Sequence, residues 1–402
     1  MDIVSPELAG FSSERLGRIN TVMRAYTERR TPPGLITVIM RKGKLVHLEC
    51  HGMMDAEAGK PMGPDTIFRI YSMTKPVTAV AVMMLLEEGR LLLGDPVSKY
   101  IPEFKKLKVL VNKTSSGLEL EDVEREITIE DLLTHTSGLS YGLFEDNPVE
   151  DLFREANLLD PLLKLLLPLG DLVQRLVEIP LASQPGTEWR YSIAFDVLGH
   201  LVSLLADLPF EVFLKDRIFA PLGMVDTGFF VPEGERERFA GLYGVNEAGE
   251  ISLLDSPESS PFLDPDVIPS GGAGLVSTAQ DYLRFVEMLQ RGGELGGRRL
   301  LGRKTLELMT RNHLPASMLP MKAGSYPLPE LGFGLGFSVI LSSAEKGSFA
   351  SEGTFTGSGV AGTEFWIDPQ EELIGMFMPQ FMGFPEPVNE VFRNLVYQAL
   401  ID

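Results

Sequence analysis

The sequence predicts an α+β fold in which one α/β domain is split by a helical insertion. Three observations predict it. Strand-like apolar runs lie near both ends, at "LITVIMRKGKLVHLEC" (35–50) and at "VAGTEFWID" and "ELIGMFMPQ" (360–368 and 372–380). Helical patterns flank those runs at both termini, over 12–29 and 387–401. Between the two ends the periodicity is helical almost throughout.

Taken in order, Ser12 or Ser13 caps a first helix through about Arg29, with Leu16, Ile19, Met23 and Tyr26 at three-to-four spacing. Pro32-Pro33-Gly34 ends it, and two strands follow around a turn at Lys42-Gly43. A short apolar run, "TIFRIY", precedes a segment apolar on every face from Val77 to Leu86, which reads as a helix buried throughout, with Gly89 as its stop. The acidic run "LELEDVERE" (118–126) reads as a solvated face. "ITIEDLLTHTSGL" is a short helix ending in a turn, residues 146–181 are leucine-rich helical segments punctuated by proline, and "YSIAFDVLGHLVSLLADL" is an amphipathic helix. "PSGGAGLVSTAQDYLRFVEMLQRGG" reads as a glycine-rich turn and a helix. The strands "GFGLGFSVIL", "VAGTEFWID" and "ELIGMFMPQ" and a closing helix, "PVNEVFRNLVYQALI", complete the chain. The expected partition is 1–95 with 225–402 as the α/β domain and 96–224 as the helical one, with the active site between them. No internal repeat and no low-complexity linker is visible.

The bulk numbers narrow the function. A net charge of −20 over 402 residues argues against a nucleic-acid partner, because phosphate binding needs a basic face. The most apolar stretch, "LLDPLLKLLLPLG" (158–170), is interrupted by Asp160, Pro161, Lys164 and Pro168 and is too short to span a bilayer. The first twenty residues lack the basic and apolar regions of a signal peptide, and the single cysteine, Cys50, cannot form an intrachain disulfide, so the cytoplasm is the default location. His47, His51, His135, His200 and His313 are scattered without metal-ligand spacing, and no phosphate-binding loop is present, so neither a metal nor a cofactor is expected.

Two serine motifs compete for the chemistry. "GLSYG" (138–142) fits the G-x-S-x-G elbow, but the elbow requires a strand before its serine and a helix after it. Here a helical pattern precedes Ser140 and a loop, "LFEDNP", follows, so Ser140 reads as a turn residue. "RIYSMTKP" (69–76) places Ser72 three residues before Lys75, ahead of the apolar helix, with Pro76 suited to a first helical turn. At that spacing the Lys75 amine can point at the Ser72 hydroxyl, and burial would lower its pKa until it could accept a proton. On this stretch alone a helix-capping serine with a snorkelling lysine explains the residues equally well. A second S-x-x-K, "SAEK" (343–346), lies in a polar stretch between strands and reads as a solvated turn.

Wider matches separate these readings. "YSMTKPVTAVAVMMLLEEGRLLLGDPVSKYIPEF", "ITIEDLLTHTSGL", "PGTEWRYSIAFDVLGHLV", "FAPLGMVDTGF" and "GGAGLVSTAQDYLRF" occur in the order seen in the serine β-lactamase and penicillin-binding-protein superfamily. The chain most resembles the class C β-lactamase-related esterases, the family VIII carboxylesterases, over roughly residues 10–400. That resemblance implies a β-lactamase/transpeptidase-like fold with a mainly antiparallel sheet flanked by N- and C-terminal helices. It implies Ser72 as nucleophile, Lys75 as the motif lysine and Tyr191 of "WRYS" as the second-motif tyrosine, with either Lys75 or Tyr191 taking the first proton. Trp189 and Gly357-Ser358-Gly359 would contact substrate, and the N–H groups of Ser72 and Val360 would form the oxyanion hole.

Two departures matter. Ile193 stands where β-lactamases carry the asparagine of Tyr-x-Asn, and Gly357-Ser358-Gly359, placed just before a strand, lacks the cation of the third motif. Those two groups hold the amide and carboxylate of β-lactams and D-Ala peptides, so a neutral ester fits better. The implied activity is a serine carboxylesterase acting on short to medium acyl chains, with weak β-lactamase activity as the nearest side reaction. The leucines of 152–181 would wall its pocket. A homo-oligomer is compatible with this reading. A second reading is a β-lactamase, D-aminopeptidase or transacylase of the same fold; a third is a non-catalytic binding or scaffold protein.

Overall fold

The computed structural model describes residues 2–115, 117–143, 147–246, 248–324 and 326–402. Its centre is an eight-stranded antiparallel sheet in the order Leu331–Phe333, Ser338–Ile340, Phe355–Ser358, Glu364–Asp368, Leu373–Pro379, Gly34–Arg41, Lys44–Asp55 and Lys60–Pro61. The last strands of the chain thus pair directly with the first: Val38 faces Met376 and Leu35 faces Pro379. Lys42 and Gly43, both at positive φ, make the tight turn between the first two strands.

Every residue of Gly34–Arg41 is buried, which is why this strand is an unbroken apolar run rather than an alternating one. Its two faces serve two layers. Leu35 and Ile39 join Phe377 and Trp366 under the terminal helices, whose contacts are Ile19, Met23, Val388, Phe392 and Val396. Ile36, Val38 and Met40 face the other way, onto the helix Thr74–Glu87 and the helix Ala279–Gln290. Residues Thr74 to Leu85 are all buried, because the sheet and helices such as Ala194–Ala206 enclose this helix. Each large apolar side chain so enclosed contributes roughly 1.5–3 kcal/mol.

Between the strand Lys60–Pro61 and the helix Ala279–Gln290 the chain forms, besides Thr74–Glu87, the helices Ile129–Leu133, Pro148–Ala156, Leu169–Leu176, Ala194–Ala206 and Phe210–Leu214. Thr128 caps the first of these through a reciprocal capping box with Asp131. Several details differ from expectation. The first helix breaks at Gly17 into Ser13–Leu16 and Arg18–Glu28. The acidic run supplies a strand, Gly117–Asp122, paired with Lys108–Thr114, and its residues are all exposed, so the solvated reading holds for its side chains. "SAEK" forms one helical turn rather than a plain turn. Residues 144–146, within the loop expected after Ser140, lie outside the described residues. Among the described residues no single helix is long and apolar enough to cross a membrane.

Candidate active site

The chain reaches Ser72 through a held turn. Strand Ile67–Arg69 pairs with Val276–Thr278, and Arg69, fully buried, donates from Nε to Asp255 at 2.8 Å and from Nη1 to the Ala240 carbonyl at 2.6 Å. The backbone then enters the left-handed region at Tyr71, with φ 42°. Such a conformation costs a non-glycine residue of order 1–3 kcal/mol and persists where surrounding packing dictates it. Here the Tyr71 ring is buried edge-on against Phe262. Ser72 follows in a single 3-10 turn, Tyr71–Met73, that runs into the helix at Thr74.

Two side chains meet at the Ser72 hydroxyl. Lys75 Nζ lies 3.1 Å from Ser72 Oγ, and the Tyr191 hydroxyl lies 2.8 Å from the same oxygen. Lys75 is only 3% exposed and also donates to the Gly272 carbonyl at 2.9 Å. Its amine stands 4.6 Å from the centre of the Tyr191 ring and 5.7 Å from that of Tyr141. The lysine does not snorkel. Its donors are met inside the protein, which removes the reading of Ser72 as a mere helix cap beside a solvated amine.

Sequence reasoning missed the supports of this cluster. Asp196, completely buried in the first turn of Ala194–Ala206, accepts from Ser270 Oγ at 2.6 Å and from the Gly272 N–H at 3.2 Å. Burial raises its pKa, while Ser270 and the nearby Lys75 amine pull the other way. The Gly272 peptide therefore links Asp196 on one side to Lys75 on the other. "PSGGAG" is glycine-rich for a steric reason: a Cβ on Gly272 would meet Asp196 Oδ2 at 2.8 Å, and one on Gly271 would meet the Phe195 carbonyl at 2.3 Å. An aspartate inside the apolar pattern "YSIAFDVLGHL" was the available signal.

His135 is the second support. Fully buried, it stacks on Tyr191 with ring centroids 4.6 Å apart, and its Nδ1 accepts the Ser192 N–H at 3.2 Å. Burial and the neighbouring Lys75 hold its pKa well below that of a free histidine, so the ring is neutral. Trp189 packs beside Tyr191, centroids 6.3 Å apart, and against Phe333 at 5.7 Å.

The segment expected to carry the third motif also arrives at Ser72, with one correction. Gly357 and Ser358 lie within the strand Phe355–Ser358 rather than before a strand, because Gly357 pairs with Phe365 and Ser358 with Glu364. A Cβ on Gly357 would meet Pro76 at 3.2 Å, and one on Gly359 would meet the Ile70 carbonyl at 2.4 Å. The strand end thus abuts the turn that carries Ser72. Val360 follows, 44% exposed, and its N–H has no backbone acceptor among the described residues.

A pocket of about 270 Å³ opens beside Tyr141 and Ile193, closed by Phe153, Leu158, Leu159 and Pro161. Only part of the leucine-rich segment forms this wall. Leu165, Leu169, Leu172, Leu176 and Leu181 are ordinary core. Ser140 is 0% exposed and hydrogen-bonds Glu150, so it is not presented to a substrate. The remaining histidines stand elsewhere: His47 bonds Thr37 at 2.8 Å, and His313 bonds Glu130 at 2.8 Å. Among the described residues no three His, Cys, Asp or Glu side chains are grouped to hold a metal.

The family model described as Beta-lactamase matches residues 19–399. Protein Rv1367c of Mycobacterium tuberculosis (strain ATCC 25618 / H37Rv) is 36% identical over 355 residues, covering 86% of this chain and 85% of its own. Esterase EstB of Burkholderia gladioli is 30% identical over 397 residues, covering 94% of each chain. Among solved structures, "EstCE1, a hydrolase with promiscuous acyltransferase activity" superimposes with a TM-score of 0.80 at 29% identity, covering 96% of this chain and 99% of that one.

Proposed function

The chain belongs to the Beta-lactamase family, and from that premise we propose that it is a serine carboxylesterase acting through an acyl-enzyme on Ser72. One observation carries the reading: Lys75 and Tyr191 both lie within hydrogen-bond reach of Ser72 Oγ. Ser72 Oγ attacks the ester carbonyl as its proton passes to Lys75 or Tyr191, and the carbonyl electrons move onto oxygen. The N–H groups of Ser72 and Val360 receive that oxyanion, a term worth several kcal/mol in acyl transfer. Collapse breaks the bond to the alcohol, which Tyr191 protonates as it leaves. Water then attacks the acyl-enzyme with the same groups acting in reverse.

The substrate class follows from what lines the site. Ile193 and Gly357-Ser358-Gly359 supply neither the side-chain amide nor the cation that those two positions would use to hold a lactam amide and carboxylate. The pocket beside Tyr141, walled by Phe153, Leu158, Leu159, Pro161 and Ile193 with Arg154, Asn157 and Asp160 also in its lining, would take an acyl group of short to medium length. The 30% identity to the Burkholderia gladioli esterase supports ester cleavage. We place the enzyme in the cytoplasm, on its single, unbridged Cys50.

Replacing Ser72 by alanine is expected to lower turnover of p-nitrophenyl butyrate by roughly 10⁴-fold or more, while the thermal midpoint stays unchanged. Retained activity would sink the assignment. Failure of a fluorophosphonate to label the wild-type protein would instead favour a non-catalytic binding role. A second reading, transfer of the acyl group to an alcohol in place of water, is favoured by the likeness to EstCE1. It predicts ester exchange when an alcohol is supplied. Nitrocefin hydrolysis at a rate comparable to ester hydrolysis would point to a β-lactamase.

A further inference from the structure

The serine of the G-x-S-x-G segment is not presented to a substrate, yet it is held at both ends beside the pocket. Ser140 is 0% exposed and both of its polar ends are engaged. Its carbonyl accepts the Ile193 N–H at 3.0 Å, and its hydroxyl donates to Glu150 Oε1. Ile193 and the residue after Ser140, Tyr141, are pocket walls. Glu150 sits in the helix Pro148–Ala156, whose C-terminal part supplies a third wall through Phe153.

Glu150 is itself anomalous. It is 1% exposed, between the buried apolar residues Val149 and Phe153 of an amphipathic helix, and its Oε2 has no partner among the described residues. Burying a carboxylate there is costly, and an apolar residue would pack more cheaply. Buried polar pairs of this kind are best attested as devices that specify one register of packing. Two further contacts hold the same register. A Cβ on Gly142 would meet that of Phe153 at 3.2 Å, and Arg154 Nη1 donates to the Gly142 carbonyl at 3.2 Å.

We propose that Ser140 and Glu150 form a latch that seats the helix Pro148–Ala156 against the 138–143 segment and so sets the depth of the acyl pocket. They are positioning residues that determine acyl-chain specificity, and the pocket half of this inference rests on the esterase reading. Without the latch the helix moves outward, and the pocket closed by Phe153 and Leu158 admits longer chains.

The experiment compares wild type, Ser140→Ala, Glu150→Gln and Glu150→Ala on p-nitrophenyl acetate, butyrate and octanoate, with amide hydrogen exchange over 149–156. Ser140→Ala is expected to keep acetate turnover within a few-fold and to raise the octanoate-to-acetate ratio of kcat/KM about tenfold, mostly through KM. Exchange should accelerate in 149–156 relative to the rest of the chain. Glu150→Gln, which can still accept from Ser140, should resemble wild type. Glu150→Ala, the second variant should Ser140→Ala not fold, should shift the ratio in the same direction. A ratio unchanged in both alanine variants, with all esters slowed equally, overturns the latch. So does loss of all turnover in a folded Ser140→Ala protein. If wild type hydrolyses none of the esters, the esterase reading and the pocket half fall together, and exchange over 149–156 still decides the latch.

Discussion

At Tyr191 a single hydroxyl separates chemistry from packing. Its ring stacks on neutral His135 and faces the Lys75 amine, while its oxygen bonds Ser72 at 2.8 Å. Tyr191→Phe keeps the ring contacts and removes the hydrogen bond to Ser72. The expected result is a fall in kcat of about 10²–10⁴-fold, the usual contribution of a positioned proton donor, with little change in thermal midpoint. A large drop in midpoint with kcat per folded molecule preserved would make Tyr191 a packing residue. Ser72 and Lys75 were legible in the sequence because their relation is local, three residues along one helical turn. Asp196 was not, since its meaning depends on Ser270 and Gly272, more than seventy residues away in the chain.

Among the elements, the strand Phe355–Ser358 and the turn Tyr71–Met73 must approach without a side chain between them. Gly359 meets that requirement, as its Cβ would lie 2.4 Å from the Ile70 carbonyl and 2.6 Å from Thr363 Oγ1. Gly359→Ala is therefore expected to push the strand end, and with it the Val360 N–H, away from Ser72. Overpacking of this kind costs about 1–3 kcal/mol. The expected outcome is a lower denaturation midpoint together with a kcat reduced at least about tenfold, the factor that 1.4 kcal/mol of lost transition-state stabilisation gives. A stability loss with kcat intact would overturn the proposed role of the Val360 N–H as an oxyanion donor. The buried helix Thr74–Glu87 was readable from its lack of a polar face. The pairing of Lys108–Thr114 with Gly117–Asp122 was hidden, because acidic exposed residues resemble any solvated segment.

Across the whole molecule, buried histidines contribute to the response to acid beside carboxylates such as Asp131 and Asp402, whose pKa values are lowered by their partners. Burial, with His51 nearby, lowers the pKa of His47 to about 4, and burial holds His135 lower than a free histidine as well. The groups facing His47 are Thr37, which bonds it, and His51, itself next to Arg24. A depressed histidine pKa means that below pH about 6.5 the unfolded chain binds a proton that the folded state refuses. Stability is therefore present at neutral pH and lost as pH falls from about 6.5 towards 4, by about 1.4 kcal/mol per pH unit for each such histidine. Urea unfolding at pH 7 and pH 5 should show that loss, and His47→Gln should reduce it by about 2 kcal/mol. An identical loss in the variant would mean that other groups carry the acid response.

The sequence by itself determined the family, the buried helix that follows Ser72 and Lys75, and the lack of a side-chain amide and of a cation at two family-motif positions. Those are written in contiguous motifs and in the residue types at Ile193 and Gly357–Gly359. Only the tertiary structure decided what holds the centre together: the Asp196–Gly272 link to Lys75, the His135 ring behind Tyr191, and the burial of Ser140 against Glu150. The reason is physical. A motif constrains neighbours in the chain, whereas a buried polar group takes its meaning from partners that folding brings to it.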